Sequence, residues 1–350
     1  MKICTHKVLK LKSLSALMIL LILTASCSSD HQPDSVTNTT SEVDNKDCDE
    51  GDSYESSDFT YECIQGAWVL TSEDKASLIS DPGEGELSTV TLSHANKTRE
   101  YLLYIPVSYD GSVDVPLMLN FHGFGGTMEE HMNSANMRTL ADSKNFILVY
   151  PQGSLLEGSS HWNANLPSSD NKSSADDLGF IGALIDDLAS NYQVDSDRVY
   201  ASGYSNGGFM SYGLACHLNN KIAAVAGVSG TMIDIENCDP TNKIAVMALH
   251  GTADGVVPYN GGNGFSSVDE TLNFWTTFNE TSDTPTFEEF DDNGITIEHY
   301  SYSDSEGDIL VEHFKIVEGS HVWFENDFDG SNTNQLIWDF VSQWNINGKI

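Results

Sequence analysis

The stretch Asp197-Arg198-Val199-Tyr200-Ala201-Ser202-Gly203-Tyr204-Ser205-Asn206-Gly207-Gly208 constrains this chain more than any other. An apolar strand runs into a serine bracketed by glycines, and helical patterning follows over 208–218. A turn that passes directly from strand to helix has no room for bulk two positions before or after its apex, a demand met by Gly203 and Gly207. Ser205 is then pushed out at the C-terminal end of its strand, as a nucleophile elbow presents its serine. The motif alone arises often by chance; its place between a strand and a helix gives it weight.

A serine hydroxyl is a poor nucleophile until a base takes its proton, so an acid and a histidine are expected downstream, in that order. Asp254 follows the apolar run 244–249 within His250-Gly251-Thr252-Ala253-Asp254, and His321 follows the run 310–317 within Glu318-Gly319-Ser320-His321-Val322-Trp323. These three are the candidate catalytic residues. His250, ending an apolar strand, reads as a partner of its own loop rather than the base. Asp176 and Asp177 read as caps of a helix over 180–192, where Phe180, Ile181, Leu184, Ile185 and Leu188 make one apolar face. His217, His299 and His313 fall in strand-like or helical stretches and read as surface or core residues.

Acyl chemistry also needs backbone donors aimed at the developing oxyanion. The amide of Asn206 is one candidate. The other is expected from His122-Gly123-Phe124-Gly125-Gly126, after the strand 116–121, with Phe124 preferred and Gly125 second. Trp162, Tyr204, Phe124 and Trp323 lie in segments expected at the rim of the site; Trp162, Tyr204 and Trp323 are the expected substrate-binding residues.

From residue 83 to 350 apolar strands alternate with helical periodicity, which predicts an α/β fold with a mostly parallel central sheet and helices on both faces. Strands are expected at 88–92, 99–105, 116–121, 146–150, 198–202, 222–228, 244–249 and 310–317, and a last helix near 334–344. Ahead of this catalytic domain, Lys2, Lys7, Lys10 and Lys12 precede an apolar run at 14–23, the pattern of an export signal over 1–26. Leu23-Thr24-Ala25-Ser26-Cys27 resembles a lipoprotein cleavage box with Thr24 out of pattern, so Cys27 is the candidate lipidation site. Residues 27–58 are acidic and polar and read as a flexible tether, and 59–82 as a short disulfide-stapled segment. Cys48, Cys63, Cys216 and Cys238 can pair in three ways, and proximity along the chain favours Cys48 with Cys63 and Cys216 with Cys238.

Sixteen lysines and arginines stand against 52 aspartates and glutamates, a formal charge of −36. A field of that sign repels nucleic acid and anionic lipid. No metal or cofactor is expected, and the chain is expected to be a monomer.

The chain from about 88 to 345 resembles the polyhydroxybutyrate depolymerase and feruloyl esterase group of α/β-hydrolases. The likeness is carried by Arg99-Glu100-Tyr101-Leu102-Leu103-Tyr104-Ile105-Pro106, the His122-Gly123 loop, Tyr150-Pro151-Gln152-Gly153, Asp177-Leu178-Gly179-Phe180-Ile181, the elbow, and the segments holding Asp254 and His321. The resemblance implies a Ser205, Asp254, His321 triad, a Cys216 to Cys238 bridge, and hydrolysis of esters on polysaccharides or of hydroxyalkanoate polyesters, without separating the two. Around His321 the chain departs from that group's glycine-rich surroundings. The expected protein is an exported esterase, either a bacterial surface or periplasmic lipoprotein held at the outer membrane through Cys27 or a secreted product. The alternative is a surface lipoprotein that keeps the scaffold for binding alone.

Overall fold

The structure, a computed structural model, describes residues 83–168, 171–262 and 264–350, and by backbone alone 53–56, 59–64 and 67–70. The last three are β1 (Ser53–Ser56), β2 (Phe59–Ile64) and β3 (Ala67–Leu70), an antiparallel sheet of their own. The signal, Cys27, the tether up to residue 52 and the Cys48 to Cys63 pairing lie outside the described residues; the far end of the expected tether, at 53–56, is the strand β1, paired with β2.

The remaining chain builds one ten-stranded sheet. In chain order its elements and their neighbours are β4 (Glu86–His94), β5 (Lys97–Ile105), β6 (Val115–Phe121), α1 (Met128–Ser134), α2 (Arg138–Lys144), β7 (Ile147–Pro151), the small hairpin β8 (Ser154–Leu156) and β9 (Ser159–His161), α3 (Asp177–Asn191), β10 (Val194–Tyr204) and α4 (Asn206–His217). There follow β11 (Ala224–Val228), β12 (Ala245–Gly251), α5 (Val268–Phe278), β13 (Thr286–Asp292), β14 (Ile295–Ser303), β15 (Ile309–Ile316), α6 (Thr333–Val341), and the terminal pair β16 (Trp344–Asn345) and β17 (Gly348–Lys349).

The sheet order is β13-β14-β15-β12-β11-β10-β6-β7-β5-β4. The six strands from β15 to β7 run parallel, and antiparallel strands flank them on both sides. Parallel strands covered on both faces are near-continuous apolar runs, and β6, β7, β11 and β12 are buried throughout, with Asn120 and His250 as buried polar members. Alternation then sorts side chains between two cores. Leu117, Leu119, Val199, Ala201, Val246 and Ala248 join α3, α4 and α5 on one face. Met118, Tyr200, Met247 and Leu249 join α1, α2 and α6 on the other.

All eight expected strands are present, within a few residues of their expected ends. Not foreseen are the β13–β14 hairpin, α1, α2 and α5. The Cys216–Cys238 disulfide is formed and ties the end of α4 to the loop before β12. Asp176 caps α3 by accepting from the Gly179 amide at 3.0 Å, while Asp177 turns inward. Its carboxylate is fully buried and meets the Arg99 guanidinium at 2.7 Å. Arg99 also lies 4.0 Å over the Phe180 ring and donates to the Gln152 carbonyl. Burial lowers the Arg99 pKa, and Asp177 opposes that shift by favouring the charged form. No helix among the described residues is long and apolar enough to cross a membrane.

Removing one member of a buried ion pair strands the other charge away from water. Asp177→Ala is therefore expected to cost roughly 3–5 kcal/mol, read as a lower denaturant midpoint.

Candidate active site

Because β6, β10, β12 and β15 are parallel neighbours or near neighbours, the loops leaving their C-terminal ends gather on one edge of the sheet. Ser205 sits there between β10 and α4 with φ +54°, in the left-handed region that non-glycine residues rarely occupy. The neighbouring glycines explain how. A Cβ on Gly203 would stand 2.3 Å from the Gly207 carbonyl oxygen, and one on Gly207 would stand 2.1 Å from that of Phe121. The Ser205 amide donates to Val228 O at 2.9 Å, anchoring the turn to β11.

The structure brings Ser205, His321 and Asp254 into one hydrogen-bonded line. His321 Nε2 is 2.9 Å from Ser205 Oγ and His321 Nδ1 is 2.7 Å from Asp254 Oδ2. Ser205 and Asp254 are buried, and the His321 side chain is 13% exposed. Asp254 is hydrogen-bonded on both oxygens: Oδ1 accepts from the Val256 and Val257 amides at 2.8 Å each. Burial pushes the Asp254 pKa up, but the hydrogen bonds from His250, His321 and the two amides outweigh it and hold the carboxyl at about 2.

His250 does more than support its loop. Its Nε2 lies 2.9 Å from Val257 O and 3.3 Å from Asp254 Oδ2, so a second imidazole donates to the acid. Two glycines hold the acid loop against the histidine loop. A Cβ on Gly251 would fall 2.1 Å from Gly319 O, and Ala253 N donates to that same oxygen at 2.9 Å. Tyr204 steadies the histidine from beneath, its hydroxyl donating to His321 O at 2.9 Å and its ring centroid 5.0 Å from the imidazole.

The loop after β6 packs beside the serine, with the Gly123 Cβ position 3.4 Å from Ser205 Cβ. Gly125 N is taken by Ser160 O at 2.8 Å and Gly126 N by Gly123 O, while Phe124 N has no partner among the described residues. Asn206 is the first residue of α4, so its amide has no intrahelical acceptor. Of the candidate donors, these two are unoccupied. His122 shapes the loop from inside. Gly153 N donates to its Nε2 at 2.9 Å, which leaves Nδ1 to donate to Gly123 O at 2.7 Å. Burial lowers its pKa, consistent with that neutral tautomer.

The rim aromatics need correction. Trp162 is 3% exposed and donates through Nε1 to His122 O, so it supports the loop from below instead of facing solvent. Its backbone also pairs with the Asn206 side chain, at 2.7 Å to Oδ1 and 3.0 Å from Nδ2. Trp323 is half-buried, edge-on against His131 at 5.4 Å. Phe124 is the open one, 57% exposed, joined around the site by Val256 at 58% and Val322 at 43%. His299 and His313 lie on β14 and β15 and His217 on α4, away from the serine, as expected.

A carboxylate with a depressed pKa contributes stability that is complete above its unfolded value near ~4 and is lost as pH falls toward about 2. Denaturant midpoints measured from pH 5 to pH 3 are expected to drop more steeply in the parent protein than in Asp254→Asn, which lacks this ionisation.

The sequence model described as Phospholipase/Carboxylesterase matches residues 112–286, half of the chain. A bifunctional acetylxylan esterase/xylanase of Neocallimastix patriciarum is 29% identical over 238 residues, covering 67% of this chain and 32% of that protein. A probable feruloyl esterase C of Aspergillus clavatus is 33% identical over 175 residues, 48% of this chain and 59% of the relative. The chain thus spans between about a third and three-fifths of the length of these relatives. Among solved structures, an acetyl xylan esterase from Aspergillus awamori superposes with a TM-score of 0.53 at 16% identity, over 67% of this chain and 94% of that one, a likeness of fold. With the family model spanning half of the chain, from ahead of β6 to the start of β13, the protein belongs to the phospholipase/carboxylesterase family of α/β-hydrolases.

Proposed function

We propose that this protein is a serine carboxylic-ester hydrolase in which His321 takes the proton of Ser205 as the hydroxyl oxygen attacks an ester carbonyl. The observation that carries this reading is the unbroken line from Asp254 through His321 to Ser205, with contacts of 2.7 and 2.9 Å. Asp254, held ionised, orients the imidazole and stabilises it once protonated. The carbonyl oxygen gains negative charge as the tetrahedral intermediate forms, and the free Phe124 and Asn206 amides are its proposed donors. Collapse releases the alcohol, protonated by His321, and leaves the acyl group on Ser205. Water then attacks that ester through the same base and frees the acid.

The relatives named as feruloyl and acetylxylan esterases favour esters carried on polysaccharides over hydroxyalkanoate polyesters. The exposed Phe124, Val256 and Val322 beside the three residues suit an acyl group with an apolar face. Export is supported by the basic and apolar leader and by the Cys216–Cys238 bridge, which belongs in an oxidising compartment. Lipidation at Cys27 would hold the enzyme at the membrane surface while its acidic chain stays in solution.

The binding-only alternative leaves a buried, hydrogen-bonded serine at a strained elbow without a use. Purified protein is expected to hydrolyse p-nitrophenyl acetate, and Ser205→Ala to lose about 10³-fold or more of that rate. A parent protein with no turnover above the variant contradicts the proposal. Methyl ferulate, acetylated xylan and polyhydroxybutyrate films, assayed side by side, then rank the esters, with the first two expected ahead.

A further inference from the structure

Behind the acid loop, on the α5 face of the sheet, lies a cavity of about 480 Å³ that the ester chemistry does not use. It is within the range of small-ligand sites, roughly 300–1,000 Å³. Three tyrosines reach it from two directions: Tyr259 from the loop after β12, and Tyr300 and Tyr302 from β14, two residues apart and so on one side of the strand. His313 and Lys315 come from the matching side of β15, since Tyr300 pairs with His313 and Glu298 with Lys315.

The rings are fixed in place by their neighbours. The Tyr259 hydroxyl shares a 2.7 Å hydrogen bond with His313 Nε2, whose other nitrogen is on Ala248 O at 3.0 Å. Tyr300 stacks on His313 with centroids 6.0 Å apart and planes within 15°, and its hydroxyl donates to Glu298. Fixed aromatic surface costs little entropy to use in binding. Beside it stand the Tyr302 hydroxyl, the Asn260 side chain and the Asp269 carboxylate, none with a hydrogen bond or ion pair among the described residues.

Charge selects among ligand classes. An anion would face Asp269 and the field of a chain carrying −36. A quaternary ammonium needs several open ring faces around it, whereas the Tyr300 ring is already flanked by His313 and Phe287 and the Tyr259 ring by His250 and His313, and the Lys315 ammonium in the same wall is paired with Glu298 at 2.9 Å. A neutral ring bearing several hydroxyls meets no such penalty, and it can both stack on tyrosine and bond to free hydroxyl, amide and carboxylate groups. We propose that the cavity formed by Tyr259, Tyr300 and Tyr302 against α5 is a second binding site, for a neutral sugar chain, separate from the Ser205 site. Thr252, two residues before Asp254, lines it, so a chain held here lies one loop away from the ester site.

The test uses protein carrying Ser205→Ala, so that the ester site cannot turn over and the result does not hang on the esterase reading. Xylohexaose and cellohexaose are titrated by calorimetry. At least one is expected to bind saturably, and Tyr302→Ala and Asn260→Ala in that background to weaken it by about tenfold each. With Ser205 intact, the same two variants are expected to keep p-nitrophenyl acetate turnover within about twofold of the parent, which also shows that they fold. The proposal is overturned if neither oligosaccharide binds, if both variants bind as tightly as the parent, or if ferulate or tetramethylammonium binds at this cavity in their place.

Discussion

The carbonyl oxygens of Phe121 and Gly207 leave no space beside the Ser205 turn, and this crowding sets the geometry of the whole edge. With glycine at 203 and 207, α4 starts directly against the end of β6, and the loop that follows β6 is pressed beside the serine. Any side chain at 207 would lie within 2.1 Å of backbone. Strain at such a residue costs on the order of 1–3 kcal/mol, which only a rigid surround can sustain. That surround is the parallel core of the sheet, buried at every position of β6, β11 and β12.

A second close approach does for the acid and histidine what the first does for the serine. Gly251 and Gly319 let the loops after β12 and β15 touch, and backbone bonds from Thr252 to Ile316 and from Ala253 to Gly319 lock them. The imidazole is thus positioned by two loops and by Tyr204. The carboxylate beneath it is held by four donors, which lower its pKa to about 2.

Much of this was legible in the chain because steric necessity leaves a mark on residue choice. The elbow announces itself through its glycines, and the order of Ser205, Asp254 and His321 along the sequence matches the order in which parallel strands end. What the sequence hides are contacts between distant blocks. Arg99 and Asp177 read as separate motifs and turn out to be one buried ion pair; Gln152, Gly153 and His122 likewise form one knot under the loop. Trp162 reads as a rim aromatic, but buried and exposed tryptophans look alike without a partner, and the His122 carbonyl was not visible as that partner. The β13–β14 hairpin escapes because β13 is largely exposed, with Phe287 and Phe290 out of strand alternation, and β14 is mostly half-buried and rich in polar residues. Its one local signal is Asn293-Gly294, both at positive φ in the turn.

The proposed ester hydrolysis depends on the Ser205 hydroxyl being a nucleophile activated by its neighbours. A fluorophosphonate reports this directly, because it reacts with a serine only when a base removes the hydroxyl proton and backbone donors receive the new oxyanion. Intact-mass and peptide spectra after brief exposure are predicted to show a single adduct, on Ser205, that disappears in His321→Ala. An unlabelled protein, an adduct on another residue, or labelling that survives loss of His321 would contradict the account.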